Sequence, residues 1–276
     1  MNTINIPAQT RYCMIDLPAA FFKQTGINRY EPSEATIGPW SPDFQHGGPP
    51  SALLTHALRT YPSTLPVKIT RVTIEILSAV PVTPCEIKVE VVRGGRRVEL
   101  LRGEYTAEGK TYLIAHAWRF ISEPGVTGAL SDSYEIPLFP EPQIYKSFQG
   151  VSYFPYGEAL DWRFTQGAYD AFGPATVWTK PRIPLIENLV IDPLEALMLM
   201  VDSANGISAE LDSREWTFVP VDLTLGLHRH PEGEWVGMDA RTVMENDGIG
   251  QTTTVVFDRR GKVGQSVHSL FIRPKP

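Results

Sequence analysis

The feature that most constrains the fold of this sequence is a short apolar run that leaves no polar face. Residues 196–201 are apolar without interruption. A helix that is hydrophobic all round must be enclosed by the rest of its domain, and this run is too short to cross a membrane. Asp192 fits the N-cap, Pro193 the first helical position, and Glu195 completes a capping box. We therefore predict a buried core helix over residues 194–204.

The segment after this helix, from Glu215 to Arg273, reads as strands only. A sheet must bury one face against another element, so we expect a curved antiparallel sheet wrapped around the helix. The same order occurs earlier in the chain. Gly47-Gly48-Pro49-Pro50 opens a second apolar helix over residues 51–60, and strands follow over residues 67–121.

The two halves match weakly but consistently at their turns. Gly109-Lys110 falls on Gly261-Lys262, and His116 falls on His268 at the same offset. We interpret this as an internal duplication, although any two units of a helix and a meander share some of these features. The predicted class is α+β, with units at residues 1–121 and 151–276 and a proline-rich linker at residues 122–150.

The composition limits which class of protein this is and which kinds of partner are expected. The chain has 276 residues, a formal net charge of −6, 42% hydrophobic residues and 20% charged residues. These values describe a globular protein with material for about two domains. Nucleic acid is not an expected partner, because phosphate binding needs a concentrated basic surface. The N-terminal residues lack a secretory signal pattern, and two cysteines, Cys13 and Cys85, fit a reducing compartment, so we expect a cytoplasmic protein.

Common catalytic and cofactor signatures are missing from the sequence. It contains no G-x-S-x-G, H-E-x-x-H, P-loop or G-x-G-x-x-G pattern, so no cofactor is predicted. His228 and His230 lie two apart on a predicted strand and would face the same way. Without a third ligand nearby, we do not predict a metal site.

Two segments could carry chemistry. Glycines at a helix start let backbone N–H groups approach a ligand, so His46, Gly47 and Gly48 could form an oxyanion hole or simply a tight turn. Asp222 lies in a strand whose alternate residues are apolar, which places it on the less apolar face. It needs a functional explanation only if that face is covered.

Five short segments together resemble the TesB-like acyl-CoA thioesterase family and occur in that family's order. They are residues 40–50 (WSPDFQHGGPP), 93–97 (RGGRR), 221–229 (VDLTLGLHR), 234–235 (EW) and 267–273 (VHSLFIR). The resemblance implies a double hotdog fold, with two antiparallel sheets, each wrapped around a long core helix and joined through their sheets. This agrees with the architecture inferred from the residues.

The resemblance also implies a set of catalytic residues. In the family, an Asp, a Thr or Ser, and a Gln hold a water for attack on a thioester carbonyl. Asp222 matches the Asp, and Thr242 lies near the Thr or Ser position. His268 stands where the family has Gln, and an imidazole is a competent base near neutral pH.

The function implied is hydrolysis of an acyl-CoA or another acyl thioester by direct water attack, with the oxyanion stabilised at His46, Gly47 and Gly48. A different class of function stays open, because the change at position 268 would also fit a non-catalytic binder of acyl or polyketide-like ligands. A hotdog dehydratase is not favoured, since the core helix carries Asp202 and Asn205 without a nearby His. A homo-oligomer is possible.

Overall fold

The structure of the protein is a computed structural model that describes residues 16–276, apart from 131, 132, 145, 149 and 152. Cys13 therefore lies outside the described residues. The strands, in chain order, are β1 Phe22–Gly26, β2 Arg29–Pro32, β3 Val67–Ile76, β4 Cys85–Arg93, β5 Val98–Ala107, β6 Lys110–Ile121, β7 Leu160–Gln166, β8 Ala175–Pro181, β9 Trp216–Pro220, β10 Asp222–Leu227, β11 Val236–Met244, β12 Ile249–Asp258 and β13 Gly261–Pro274. The helices are α1 Gly48–Thr60, α2 Pro155–Glu158, α3 Pro193–Val201 and α4 Ala204–Ile207.

The strands form one continuous antiparallel sheet, in which the two sheets that were predicted to join are paired edge to edge. Its order is β1-β2-β4-β5-β6-β3-β10-β13-β12-β11-β8-β7, and β9 pairs with β13. The two halves meet where β3 pairs with β10, and there the hydroxyls of Thr73 and Thr224 lie 3.1 Å apart. Edge-to-edge pairing at this junction satisfies the backbone groups that an exposed sheet edge would leave unpaired.

The two halves have mirrored strand orders, as a duplication would produce. On one side of the junction the order is β3, β6, β5, β4, and on the other it is β10, β13, β12, β11. Thr73 pairs with His116 and with Thr224, and Thr224 pairs with Val267. The counterpart of His116 is therefore Val267, so the alignment of His116 with His268 was wrong by one residue. A shift of one residue moves a side chain to the opposite face of a sheet.

The prediction of a buried helix with a defined start is confirmed. The Asp192 carboxylate accepts a hydrogen bond from the Leu194 N–H (2.9 Å), Pro193 opens α3, and Glu195 completes the capping box. Residues 194–201 are all buried. The helix ends earlier than predicted, because α3 stops at Val201 and the chain turns at Asp202 before the short helix α4.

Helices α1 and α3 run antiparallel, and polar side chains join them at the far end from Asp202. Glu195 is buried and accepts hydrogen bonds from Arg59 (2.7 and 2.9 Å), and His56 Nδ1 lies 2.8 Å from the same oxygen. Burial alone would raise the pKa of Glu195, but the bonds and charges of His56 and Arg59 lower it below its ordinary value. Arg119 caps the C-terminal end of α1, because its guanidinium donates a hydrogen bond to the Tyr61 carbonyl at 2.7 Å.

The described part of the chain contains neither a membrane-spanning helix nor a cluster of metal ligands. No helix there has the length and apolar character that a membrane crossing requires. No group of three or more His, Cys, Asp or Glu side chains is arranged there to hold a metal ion. His228 and His230 were predicted to lie on one strand, but β10 ends at Leu227 and both follow it. His230 contacts the Ile69 carbonyl through Nε2 at 2.7 Å, and burial lowers the pKa of His230.

Candidate active site

A cavity of about 380 Å³ opens where α1 begins and α3 ends. His46 and Gly47 line it from the first half, and Asp202 and Asn205 line it from the second. Most of the remaining wall is apolar. A concave, mainly apolar cavity with a few convergent polar groups is the usual form of a small-molecule site.

A His–Asp pair stands at the polar end of this cavity. His46 Nδ1 lies 3.0 Å from Asp202 Oδ2, and both side chains are largely buried. The Gly48 N–H also approaches Nδ1, at 3.2 Å. Nδ1 cannot both carry a proton and accept one from Gly48. We assign the proton to Nδ1, because an ionised carboxylate is the stronger acceptor and holds the tautomer that donates to it, and the Gly48 amide then donates to the Asp202 carboxylate.

Glycine is required at positions 47 and 48 by space rather than by backbone conformation. A Cβ at Gly47 would lie 2.8 Å from the Asp202 carboxylate, and a Cβ at Gly48 would lie 2.1 Å from the Leu199 carbonyl oxygen. The start of α1 can thus rest directly against the end of α3. Gly47 and Gly48, which were predicted to form an oxyanion hole or a tight turn, therefore allow the start of α1 to contact the Asp202 carboxylate.

Asp202 is an ionised carboxylate in a buried setting. Burial would raise its pKa, but its interactions with His46, with the nearby His268 and with the Gly48 amide together hold the pKa below the ordinary Asp value. The N-terminal end of the α1 dipole favours the same negative charge. Its second oxygen, Oδ1, is buried and has no hydrogen-bonding partner among the described residues.

His268 lies on the inner face of β13 and is fully buried. Neither of its ring nitrogens has a hydrogen-bonding partner within the described part of the chain. Burial lowers its pKa below 6.5, against the opposing attraction of Asp202 and, more weakly, of Asp222. At neutral pH the ring is therefore uncharged and can accept a hydrogen bond on one nitrogen.

Thr242 belongs to a buried set of hydroxyls beside His268. Its Oγ1 lies 2.8 Å from Ser208 Oγ and 2.8 Å from Thr252 Oγ1. Thr252 is the direct cross-strand partner of His268, so their side chains occupy neighbouring positions on the same face. Thr242 and His268 therefore lie in one buried polar cluster.

The structure does not place Asp222 in this cluster. Asp222 pairs with the exposed Glu75 on β3, whereas its neighbour Leu223 pairs with the buried Ile74. Its carboxylate accepts a hydrogen bond from the Ser269 N–H at 2.6 Å. Asp222 therefore lies on the face of the sheet opposite His268. Neither of the two is among the described residues that line the cavity, but His268 is buried and interacts electrostatically with Asp202.

Asp202 is the functional candidate that the sequence-based assignment missed. The signal for it was present, because a carboxylate directly follows six apolar residues at the end of a buried helix. Such a charge is costly to bury and needs a partner. Its partner, His46, is far away in sequence, and only the antiparallel packing of α1 and α3 brings the two together.

Two solved structures illustrate the fold. A conserved protein of unknown function with a hot dog fold from Alicyclobacillus acidocaldarius is 16% identical, with a TM-score of 0.70 over 94% of this chain and 97% of that chain. Acyl-CoA thioesterase II TesB2 from Mycobacterium marinum is 18% identical, with a TM-score of 0.65 over 92% of this chain and 95% of that chain. At such identities the likeness shows the fold alone, which is that of hotdog proteins. A search of curated proteins gave no match.

Two models of protein domains match the chain in order. The acyl-CoA thioesterase N-terminal domain matches residues 36–120, and the acyl-CoA thioesterase C-terminal domain matches residues 135–272. The first match contains His46 and α1, and the second contains α3, Asp202 and His268. This chain therefore belongs to the TesB-like acyl-CoA thioesterase family.

Proposed function

We propose that the protein hydrolyses an acyl thioester, with acyl-CoA as the expected substrate, by direct attack of a water held between Asp202 and His268. The observation that carries this proposal is the buried Asp202 carboxylate on the cavity wall, with one oxygen bound to His46 and the other unpartnered among the described residues. A buried polar atom without a partner costs about 1–3 kcal/mol, so this oxygen requires a hydrogen-bond donor. A water molecule is the smallest donor that fits.

Each polar residue of the site has a separate role. Asp202 accepts one hydrogen of the water, and neutral His268 accepts the other, which orients a lone pair for attack and gives the proton a place to go. His46 holds the carboxylate through Nδ1. The Thr242 hydroxyl and its neighbours form the buried polar surroundings of His268.

Attack on the carbonyl carbon places a negative charge on the thioester oxygen. The N-terminus of α1, with His46, Gly47 and Gly48, lies on the same cavity, and its positive dipole would stabilise this charge. Collapse of the tetrahedral intermediate then expels the thiolate of CoA, which takes up a proton. No acyl group is transferred to the protein in this scheme, because the polar residues assigned to the site include no activated Ser or Cys.

The test is thiol release from a panel of acyl-CoA thioesters, followed by intact-protein mass spectrometry of acid-quenched reactions. We expect catalytic thiol release with no acyl adduct on the protein. An accumulating adduct would contradict direct water attack. Saturable binding without thiol release from any thioester would identify the alternative, a ligand-binding hotdog protein.

A further inference from the structure

Aromatic rings form a substantial part of the cavity wall, beside aliphatic side chains. Seven residues from both halves and from the segment that joins them contribute these rings: Trp40, Phe44, Phe148, Phe154, Tyr156, Trp162 and Phe218. The rings present flat faces and polarised edges, which the branched aliphatic side chains in the same wall do not.

The rings are held in defined orientations on two sides of the cavity. Phe148 meets Trp162 edge to face, with centroids 5.4 Å apart at 82°. Trp40 meets Phe218 in the same way, at 6.4 Å and 86°. Edge-to-face pairs fix the ring planes and leave other ring surfaces directed elsewhere, including toward the cavity that these residues line.

A third set of rings lies next to the His46–Asp202 pair. Phe154 and Tyr156 lie nearly parallel, with centroids 6.2 Å apart at 21°, and Tyr156 stacks on His46 at 3.9 Å and 8°. The Tyr156 hydroxyl donates to the Leu199 carbonyl at 2.8 Å, which anchors this stack to the end of α3. A row of rings thus leads from the cavity wall to the imidazole that contacts Asp202.

The size of the cavity fits a compact acyl group. An apolar cavity of about 150 Å³ accommodates benzene, and this cavity measures about 380 Å³. It therefore has room for one ring, a short spacer and the thioester group.

We propose that the preferred acyl group carries an aromatic ring close to the thioester, as in an arylacetyl or aroyl thioester. The inference rests on the proposed thioesterase function and names its substrate class. A ring in the substrate gains edge-to-face or offset-stacked contacts that an alkyl chain of the same carbon number does not make. Each such contact is worth about a two- to tenfold preference.

The experiment compares phenylacetyl-CoA with octanoyl-CoA, which have the same number of acyl carbons. We expect kcat/KM to be at least about tenfold higher for phenylacetyl-CoA, the equivalent of one or two ring contacts. Equal or faster hydrolysis of octanoyl-CoA would overturn the inference and leave the thioesterase function standing.

A binding measurement separates the two proposals. The non-hydrolysable thioether analogues of the same two substrates are titrated by calorimetry. Tighter binding of the phenyl analogue supports the ring site even if no thioester is hydrolysed, and equal or tighter binding of the octyl analogue overturns it.

Two variants of cavity residues test whether the rings of the wall cause the preference for the phenyl analogue. Phe218→Leu should lower the preference for the phenyl analogue about two- to tenfold while changing octyl binding little, and Phe44→Leu at the more exposed part of the wall should act in the same direction. Phe120→Leu is the matched control, because Phe120 is 42% exposed and does not line this cavity. An unchanged preference in both cavity variants would contradict the proposal.

Discussion

Asp202 and Asp222 lie twenty residues apart and show that the surroundings of a residue determine whether it is suited to the proposed chemistry. Asp222 follows the family's sequence pattern, but its carboxylate binds the Ser269 amide on the outer face of the sheet. Asp202 stands on the cavity wall, contacts His46 and carries a lowered pKa. The proposed chemistry depends on a buried charge, and of these two aspartates only Asp202 is buried.

A prediction at the residue scale concerns the pH dependence of folding. Burial lowers the pKa of His268 in the folded protein, so the unfolded chain binds a proton more readily at this residue. Stability should therefore be lost as the pH falls below 6.5. His268→Gln removes the titrating group, and its free energy of unfolding should fall less steeply between neutral and mildly acidic pH, by up to about 1.4 kcal/mol per pH unit.

Chemical denaturation of both proteins at several pH values measures this difference. Asp202 also has a lowered pKa, but its contribution is lost only at more acidic pH, below the ordinary value of 3.8. His230 titrates in the same direction as His268 but is present in both proteins, so its effect cancels. Parallel stability curves for the two proteins would contradict a neutral, buried His268.

At the scale of secondary-structure elements, α1 packs tightly against α3 at Gly48. Gly48→Ala would place a methyl group 2.1 Å from the Leu199 carbonyl oxygen, where neither helix backbone can yield easily. We expect a loss of about 1–3 kcal/mol in the free energy of unfolding. Gly226→Ala in β10 is the control, because a Cβ there meets no atom within 4 Å.

Urea denaturation of these two variants and the wild type gives the comparison. If Gly48→Ala were as stable as Gly226→Ala, the close packing of α1 against α3 would not hold. Because Gly48 also adjoins His46, the Gly48→Ala protein should lose thioesterase activity as well, whereas Gly226→Ala should retain it.

The sequence predicts local features of these elements better than distant ones. The capping box of α3 involves residues within one helical turn, so its pattern was sufficient to predict it. The relation between the halves was one residue out of register, because bulges and turn lengths decide register and the sequence pattern does not display them. The site could not be assembled from the sequence, since His46 and Asp202 meet only through the packing of two helices.

At the scale of the whole molecule, the two halves share one sheet and one hydrophobic core. Buried residues from both halves, including Leu53 and Leu54 of α1 and Leu197 and Met198 of α3, belong to a single cluster. The junction between β3 and β10 continues the sheet across the middle. Neither half can therefore expose its side of this interface without losing core contacts.

We accordingly predict that the protein unfolds in one cooperative step. The denaturation curves from tryptophan fluorescence and from far-UV circular dichroism should coincide within error. Two resolved transitions, or a stable folded fragment of residues 1–121 alone, would show that the halves are independent domains.

The central claim is that the catalytic aspartate is Asp202 and not Asp222, and one pair of isosteric variants tests it most directly. Initial rates of thiol release are measured for Asp202→Asn and Asp222→Asn under identical conditions, after circular dichroism has shown both to be folded. We predict that Asp202→Asn lowers kcat by a factor of about 10² to 10⁴, as expected for loss of a group that acts in proton transfer, and that Asp222→Asn stays within a few-fold of the wild type. Near-normal turnover by Asp202→Asn, with loss of activity in Asp222→Asn, would contradict the account.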